Sequence, residues 1–404
     1  MKPKHILVVS QYFYPESFRI NDMGCEWVKR GYKVTVLTGI PNYPEGKFYK
    51  GYSWFKKRKE QYCGVDIIRI PLTPRGKGSL GMIFNYFSFL VSGFFWKVFT
   101  KVKADLVFTF EVSPMTQALI GVWYAKKHKI PNYLYVQDLW PENVEIVTGI
   151  TAPIVIKPIS RMVNYIYKNC DKIFATSPSF VNEIKKRVFD NKDKVLYWPQ
   201  YAEEFYRPMA KETVDEIPND NRFKVAFTGN IGFAQGLDVI IKTAKHFSEH
   251  HIKDVCFVII GDGRNKANLL HEISENSLQD YFIMIDQQPP QRIPILLSAC
   301  DVAFVSFMNN PLFSNTIPAK LQSYLACGMP IIAAATGETE RIISDSASGV
   351  CSPIGDGVAL AENIIFLKNQ ASLNEYSLNA RAYFLENFEK TKLLDEMDVY
   401  FNID

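Results

Sequence analysis

Three stretches in the second half of the chain combine small residues, helix starts and positive charge in a way that suits a polyanion. Thr228-Gly229-Asn230-Ile231-Gly232-Phe233-Ala234-Gln235-Gly236 follows an apolar, β-branched run and opens a helical one. Its small residues let backbone N–H groups close on an anion. Gly261-Asp262-Gly263-Arg264 repeats the arrangement after the next apolar run. In Asn315-Thr316-Ile317-Pro318-Ala319-Lys320 the proline marks a first helical turn, Thr316 is placed to cap it, and Lys320 adds a point charge. A single glycine-rich turn is often only a turn. Three such sites at the ends of successive strands point to one diphosphate-bearing ligand.

The first half offers carboxylates and amides instead. Asp138 directly follows a strand-like run, where a carboxylate can orient a hydroxyl or take its proton; its structural alternative is a helix N-cap. Gln137 beside it is placed to donate to a sugar or a phosphate, with packing as the alternative. Glu111 ends another such run and is expected to line the same crevice.

Residues at strand ends need strands, and the chain reads as two series of alternating strands and helices. Strands are predicted at His5–Ser10, Lys33–Thr38, Val65–Ile70, Asp105–Phe110, Asn132–Val136 and Lys172–Thr176. The pattern restarts with Lys224–Thr228, Val255–Ile260, Phe282–Ile285, Val302–Ser306 and Pro330–Ala334. Such alternation implies parallel sheets covered by helices on both faces, with ligand crevices at the carboxyl ends of the strands. The polar, Pro-containing segment 197–222 joins the halves, and a long helical region over Ser372–Phe401 is placed to cross back onto the first. The predicted domains are 1–200, 201–385 and a terminal helix over 386–404.

At 404 residues the chain has room for two domains, and 47% hydrophobic against 22% charged residues excludes disorder. Seven Cys with no Cys-x-x-Cys pair argue against a zinc ribbon, a thioredoxin-type site and a disulfide scaffold, and fit a reducing cytosol. The opening MKPKHILVVS is expected to be strand rather than signal peptide. A net charge of +4 conceals an asymmetry: residues 1–200 carry 30 Lys and Arg against 15 Asp and Glu, whereas residues 201–404 carry 16 against 27. The basic half suits an anionic membrane; nucleic acid is disfavoured because the basic residues sit on no recognised reading motif.

From Gly78 to Trp96 the sequence holds no charge and is dense in Phe, Tyr, Leu and Met, with Arg75 and Lys77 before it and Lys97, Lys101 and Lys103 after it. Its length admits a membrane span. Asn85, Ser88 and Ser92 recur at helical spacing and give it one polar face, which fits a helix lying in a membrane interface better than one crossing it. A core helix is the other reading.

Pro318-x-Lys320-Leu321-x-x-Tyr324-Leu325-Ala326-x-Gly328-x-Pro330-Ile331-Ile332-Ala333 resembles the C-terminal signature of retaining glycosyltransferase family 4, and the segment from Gly229 to Leu237 resembles that family's phosphate loop. Gln11-Tyr12-Phe13-Tyr14-Pro15-Glu16, Phe18-Arg19-Ile20-Asn21-Asp22 and Gln137-Asp138-Leu139-Trp140-Pro141-Glu142 are similar to motifs of its WbuB-type branch, whose members add N-acetylfucosamine-like sugars in bacterial surface-polysaccharide assembly. The resemblance implies an α/β architecture of the GT-B kind: two facing Rossmann-like, doubly wound domains with an interdomain cleft, the acceptor on the first and the nucleotide-sugar on the second. Together with the strand-end reading it gives donor contacts from Gly229, Asn230, Gln235, Gly261, Gly263, Arg264, Asn315, Thr316, Lys320 and Ser323. Acceptor contacts are expected from Arg19, Asn21, Glu111 and Glu142, and catalytic roles from Asp138, Gln137 and Glu16.

The departures from the family pattern are concentrated on charge. The family's Glu-x7-Glu pair corresponds to Asn315 and Ser323, its loop Arg and Lys to Asn230 and Gln235, and its first-domain His to Gln137. Countercharge for a diphosphate must then come from Arg264, Lys320 and helix N-termini. No Asp-x-Asp occurs, so no divalent metal is expected, and no cofactor. The expected function is retaining transfer of an N-acetylated sugar from a UDP-sugar to a polyprenyl-diphosphate-linked saccharide, for O-antigen, capsule or exopolysaccharide. The expected location is peripheral, on the cytoplasmic face of the bacterial inner membrane. The alternatives are a non-catalytic membrane adaptor on a decayed transferase fold and an NAD-dependent enzyme, the latter opposed by the glycine spacing.

Overall fold

The computed structural model describes residues 3–76 and 78–402, so Lys77 lies outside the described residues. The chain divides into two compact units, Met1–Trp198 and Pro199–Asp404.

The first unit runs β1 (His5–Val9), α1 (Arg19–Lys29), β2 (Lys33–Thr38), β3 (Lys59–Tyr62), β4 (Val65–Arg69), α2 (Ser79–Phe99), β5 (Leu106–Glu111), α3 (Gln117–His128), β6 (Asn132–Val136), α4 (Glu142–Thr148), α5 (Pro153–Lys168), β7 (Lys172–Ala175), α6 (Pro178–Arg187) and β8 (Val195–Tyr197). β1, β5 and β6 are buried at every position, the mark of a parallel sheet covered on both faces. The strand order is β3-β4-β2-β1-β5-β6-β7-β8, parallel except for β3 against β4. The chain proceeds outward in opposite directions from β1 and β5, so the crevice of this sheet opens at their carboxyl ends. Gln11 and Gln117 mark that point: the Gln11 N–H donates to Gln117 Oε1 at 2.7 Å.

The uncharged segment of the sequence forms α2, and its polar face is the one that packs. Gln11 Nε2 donates to Asn85 Oδ1 at 2.7 Å, Asn85 Nδ2 donates to the Thr73 carbonyl at 2.5 Å, and the Thr73 N–H donates to Ser88 Oγ at 2.9 Å. Phe89 is fully buried, and a Cβ on Gly93 would lie 2.1 Å from Ile120 Cδ1, so α2 presses directly on α3. These attachments hold the helix to its domain.

The second unit runs β9 (Phe223–Thr228), α7 (Asp238–Glu249), β10 (Val255–Ile260), α8 (Lys266–Glu275), β11 (Phe282–Ile285), α9 (Ile293–Ser298), β12 (Val302–Ser306), α10 (Pro311–Ser314), α11 (Ala319–Ala326), β13 (Ile331–Ala334), α12 (Glu338–Ser346), β14 (Gly349–Ser352), α13 (Gly357–Lys368), α14 (Asn374–Asn387) and α15 (Lys390–Phe401). Its sheet is wholly parallel in the order β11-β10-β9-β12-β13-β14, with the reversal between β9 and β12. The predicted strands recur with ends shifted by at most a residue. Three short strands, β3, β8 and β14, were not anticipated. The helical region predicted over Ser372–Phe401 is two helices, because Phe388 turns into the core and Glu389 takes an extended backbone and caps the Lys392 N–H at 2.7 Å.

Candidate active site

The loop after β9 lies at the point where strand order reverses in the second sheet, and β12 braces it. Ser306 Oγ donates to the Gln235 carbonyl at 2.6 Å, and the Met308 N–H donates to the Ala234 carbonyl at 3.1 Å. Gly236 has a φ of 59°, and a Cβ there would meet the Phe307 backbone at 2.6 Å, so only glycine fits. The second glycine turn, expected as a second cradle, is a wall for the first. A Cβ on Gly261 would lie 1.9 Å from the Gly229 carbonyl oxygen, one on Gly263 would lie 2.3 Å from that of Ile231, and the Ile231 N–H is spent on the Asp262 carbonyl. Asn230 and Arg264 are exposed beside it.

Lys320 enters this loop from α11. Its Nζ donates to Gln235 Oε1 at 2.5 Å and stands 3.7 Å from the centre of the Phe227 ring at the end of β9. Burial lowers its pKa to about 7. Thr316, expected to cap α11, instead donates its hydroxyl to the Leu312 carbonyl at 3.0 Å and closes α10. Pro318 holds the cap position with no side-chain hydrogen bond, and the N-terminus of α7 also lacks one. Uncapped helix N-termini and a nearby cation both favour an anion. Asn315 ends α10 at the rim. Ser323 is buried and donates to the Ala319 carbonyl of its own helix at 3.1 Å, so its hydroxyl is occupied.

In the first unit, Asp138 follows β6 and Oδ2 accepts the Ser113 N–H at 2.7 Å; burial raises its pKa. Gln137 pairs its N–H with the Glu111 carbonyl at 2.8 Å. Gln137 and Arg19, the first residue of α1, both lie by the Tyr135 hydroxyl and oppose the rise that burial gives its pKa. Asp138, Gln137 and Arg19 are thus placed around the strand ends of one sheet.

The other candidates of this unit serve its framework. Glu16 is 2% exposed; Oε1 accepts the N–H groups of Asn42 and Tyr43, each at 2.7 Å, and burial raises its pKa to about 7. Asn21 ties the same loop, accepting the Tyr14 N–H at 3.0 Å and donating to the Glu16 carbonyl at 2.6 Å. Glu142 accepts from Arg187 at 2.7 Å and links α4 to α6. Glu111 is wholly buried, and burial followed by the charge of Asp138 pushes its pKa well up, against the opposing pull of the Asp138 and Gln137 backbone N–H groups. It sits behind the crevice rather than on its wall.

Phe227 and Ser113 were missed in the sequence, where a strand phenylalanine and a loop serine carry no chemical mark. Among the described residues one His and acid cluster brings metal-ligating atoms within 4.8 Å of one another: His246, Glu249 and His250, at the end of α7 remote from the glycine loop.

The family of glycosyl transferases group 1 matches residues 210–383. The chain is 25% identical over 335 residues to the putative colanic acid biosynthesis glycosyl transferase WcaI of Escherichia coli K12, covering 78% of each. Among solved structures it superposes on sucrose-phosphate synthase from Thermosynechococcus elongatus with a TM-score of 0.74 at 15% identity, covering 98% of both chains. It also superposes on Anabaena HepE in complex with UDP and glucose, with a TM-score of 0.70 at 14% identity, covering 98% and 99%. The chain therefore has two Rossmann-like units of the GT-B fold, and the second is similar, over residues 210–383, to glycosyl transferases group 1.

Proposed function

We propose that the chain is a retaining, metal-independent glycosyltransferase that moves an N-acetylated, N-acetylfucosamine-like sugar from a UDP-sugar to a polyprenyl-diphosphate-linked saccharide. It works peripherally at the cytoplasmic face of a bacterial inner membrane, in O-antigen, capsule or exopolysaccharide assembly. The observation that carries this reading is Lys320, a cation in the uncapped first turn of α11 that reaches Gln235 of the glycine loop preceding the uncapped α7, a combination that suits a diphosphate.

Breaking the bond between the anomeric carbon and the phosphate oxygen builds negative charge on the departing diphosphate. Lys320, Arg264 and the N-termini of α7 and α11 stabilise that charge more as it grows. The acceptor oxygen bonds to the same face of the anomeric carbon, and its proton goes to the leaving phosphate oxygen. Asp138, made more basic by burial, orients the acceptor hydroxyl and assists that transfer. Gln137 donates to the donor sugar or its phosphate, Arg19 takes the acceptor's diphosphate, and Glu16 and Asn21 hold the loop that positions Arg19.

The test is release of nucleotide diphosphate from a panel of UDP-, GDP- and dTDP-sugars, with a short polyprenyl-diphosphate N-acetylhexosamine as acceptor, with and without EDTA. Acceptor-dependent, EDTA-insensitive release of UDP from one UDP-N-acetyl sugar is expected. No release from any donor would overturn the reading.

A further inference from the structure

The outward face of α2 is one unbroken apolar stripe. Leu80, Ile83, Phe84, Phe87, Val91, Phe94, Phe95 and Val98 are all exposed, Leu80 to 73% and Phe84 and Phe87 to more than 60%. Their spacing of three and four residues puts them on a single side of the helix. At 1.5 Å per residue the stripe is about 27 Å long. From Leu80 to Trp96 the helix carries no charge. The opposite side is fixed by the Asn85 and Ser88 hydrogen bonds and the Gly93 contact, so α2 cannot turn this face inward.

Cations stand at both ends of the stripe. At its start Arg75 reaches Met82, with its guanidinium 3.4 Å from the sulfur. At its end Lys97 lies over the Phe94 ring, and Lys127 donates to the carbonyls of Lys97 and Val98 at 2.8 and 3.0 Å, closing the helix C-terminus. Lys101, Lys103 and Lys126 are exposed around it.

We propose that α2 is the docking surface of this chain for an anionic lipid bilayer, lying flat in the interface with its stripe among the acyl chains and its terminal cations at the headgroup phosphates. The charge pattern selects this occupant over a second copy of the chain. A two-fold pairing of stripes, whether parallel or antiparallel, would bring cationic ends against cationic ends, whereas a layer of phosphates neutralises both at once. The length of the helix does not make it a span, because its inner face is bonded into the domain. This surface deepens the reading of a lipid-linked acceptor, yet it is measured without turnover.

The experiment is co-sedimentation of the full chain with vesicles of phosphatidylcholine alone or containing phosphatidylglycerol. The comparison is with the triple variant Phe84→Ser, Phe87→Ser, Phe95→Ser and with Lys97→Gln, Lys101→Gln, Lys103→Gln. The substituted side chains lie at the surface, and thermal unfolding checks that each variant folds. The expected result is binding that rises with phosphatidylglycerol, falls by about tenfold or more in the serine variant, and loses its dependence on phosphatidylglycerol in the glutamine variant. Equal binding by the serine variant, or no binding by the natural chain, overturns the proposal. So does a dimer in solution that the serine substitutions dissociate, which would give the stripe to a second copy. UDP release with a short-chain soluble acceptor, assayed without vesicles, reports separately on the transferase reading.

Discussion

Lys320 Nζ donates to Gln235 Oε1 across 2.5 Å, so an ammonium on a helix occupies a glycine loop that has no cation of its own. An amide oxygen and an aromatic face compensate its charge only in part, and a diphosphate would complete the set. Lys320→Met is expected to raise the dissociation constant for UDP by roughly 10- to 100-fold, the range for hydrogen bonds to charged groups, as read by isothermal titration calorimetry. An unchanged constant would remove Lys320 from the donor site.

The same lysine gives a pH dependence with a defined sign. Its folded-state pKa of about 7 lies below the ordinary lysine value, so above pH 7 the free protein carries it neutral. UDP affinity is expected to weaken as pH rises through that value, and to do so less in Lys320→Met. In the empty protein the unfolded chain binds the additional proton across the window from about 7 to the ordinary lysine range, so this residue makes stability rise with pH there. Denaturant titrations of both proteins at several pH values check it.

Gly261→Ala is expected to cost on the order of 3 kcal/mol in urea unfolding, because its Cβ would overlap the Gly229 carbonyl and its φ of 154° is unfavourable for other residues. Gly229→Ala meets open space at a φ of 119° and is expected to cost less, from backbone strain alone. Equal costs would mean that the two turns do not lean on each other.

Asp138→Asn is expected to lower kcat by about 100-fold or more while leaving the donor KM near its natural value, as for loss of a group that acts on the acceptor proton. Glu111→Gln separates the buried neighbour. The folded-state pKa of Glu111 is raised, so its contribution to stability is present at low pH and lost as pH rises through that pKa. The variant should match the natural protein in acid and become the more stable of the two toward alkaline pH, which thermal melts across pH would show.

Asn85→Leu should destabilise the first unit by about 3 kcal/mol in urea unfolding, because the Gln11 amide and the Thr73 carbonyl lose their buried partner. A helix held in place only by lipid would show no such loss.

Much of this was legible in the sequence. Continuous, β-branched apolar runs such as Val255–Ile260 suit strands buried on both faces, and the glycine turns after them mark where those strands end. What stayed hidden were contacts between residues far apart in the chain. Gly261 reads as a phosphate turn until its distance to Gly229 is known, and Thr316 reads as a cap until its hydroxyl is found on Leu312. Glu111 sits at a strand end, yet which side of the sheet end is covered depends on α3 to α5, not on its own neighbours. The polar residues of α2 gave its periodicity correctly but not which face meets the domain, since buried hydrogen bonds and solvent both satisfy Asn85. The strand β3 escaped notice because charge and polarity disguise it.

That strand has a consequence for how the protein survives at high concentration. β3 is one of the two outermost strands of its sheet, only four residues long, with Lys59 and Gln61 exposed, and it runs against the direction of its neighbour β4. Glu60 turns back to pair with the buried Arg69. An outer rim so short, charged and reversed is a poor template for a stray chain seeking backbone partners. A molecule with a greasy helix on its surface thereby blunts one of the strand edges that could lead to fibres.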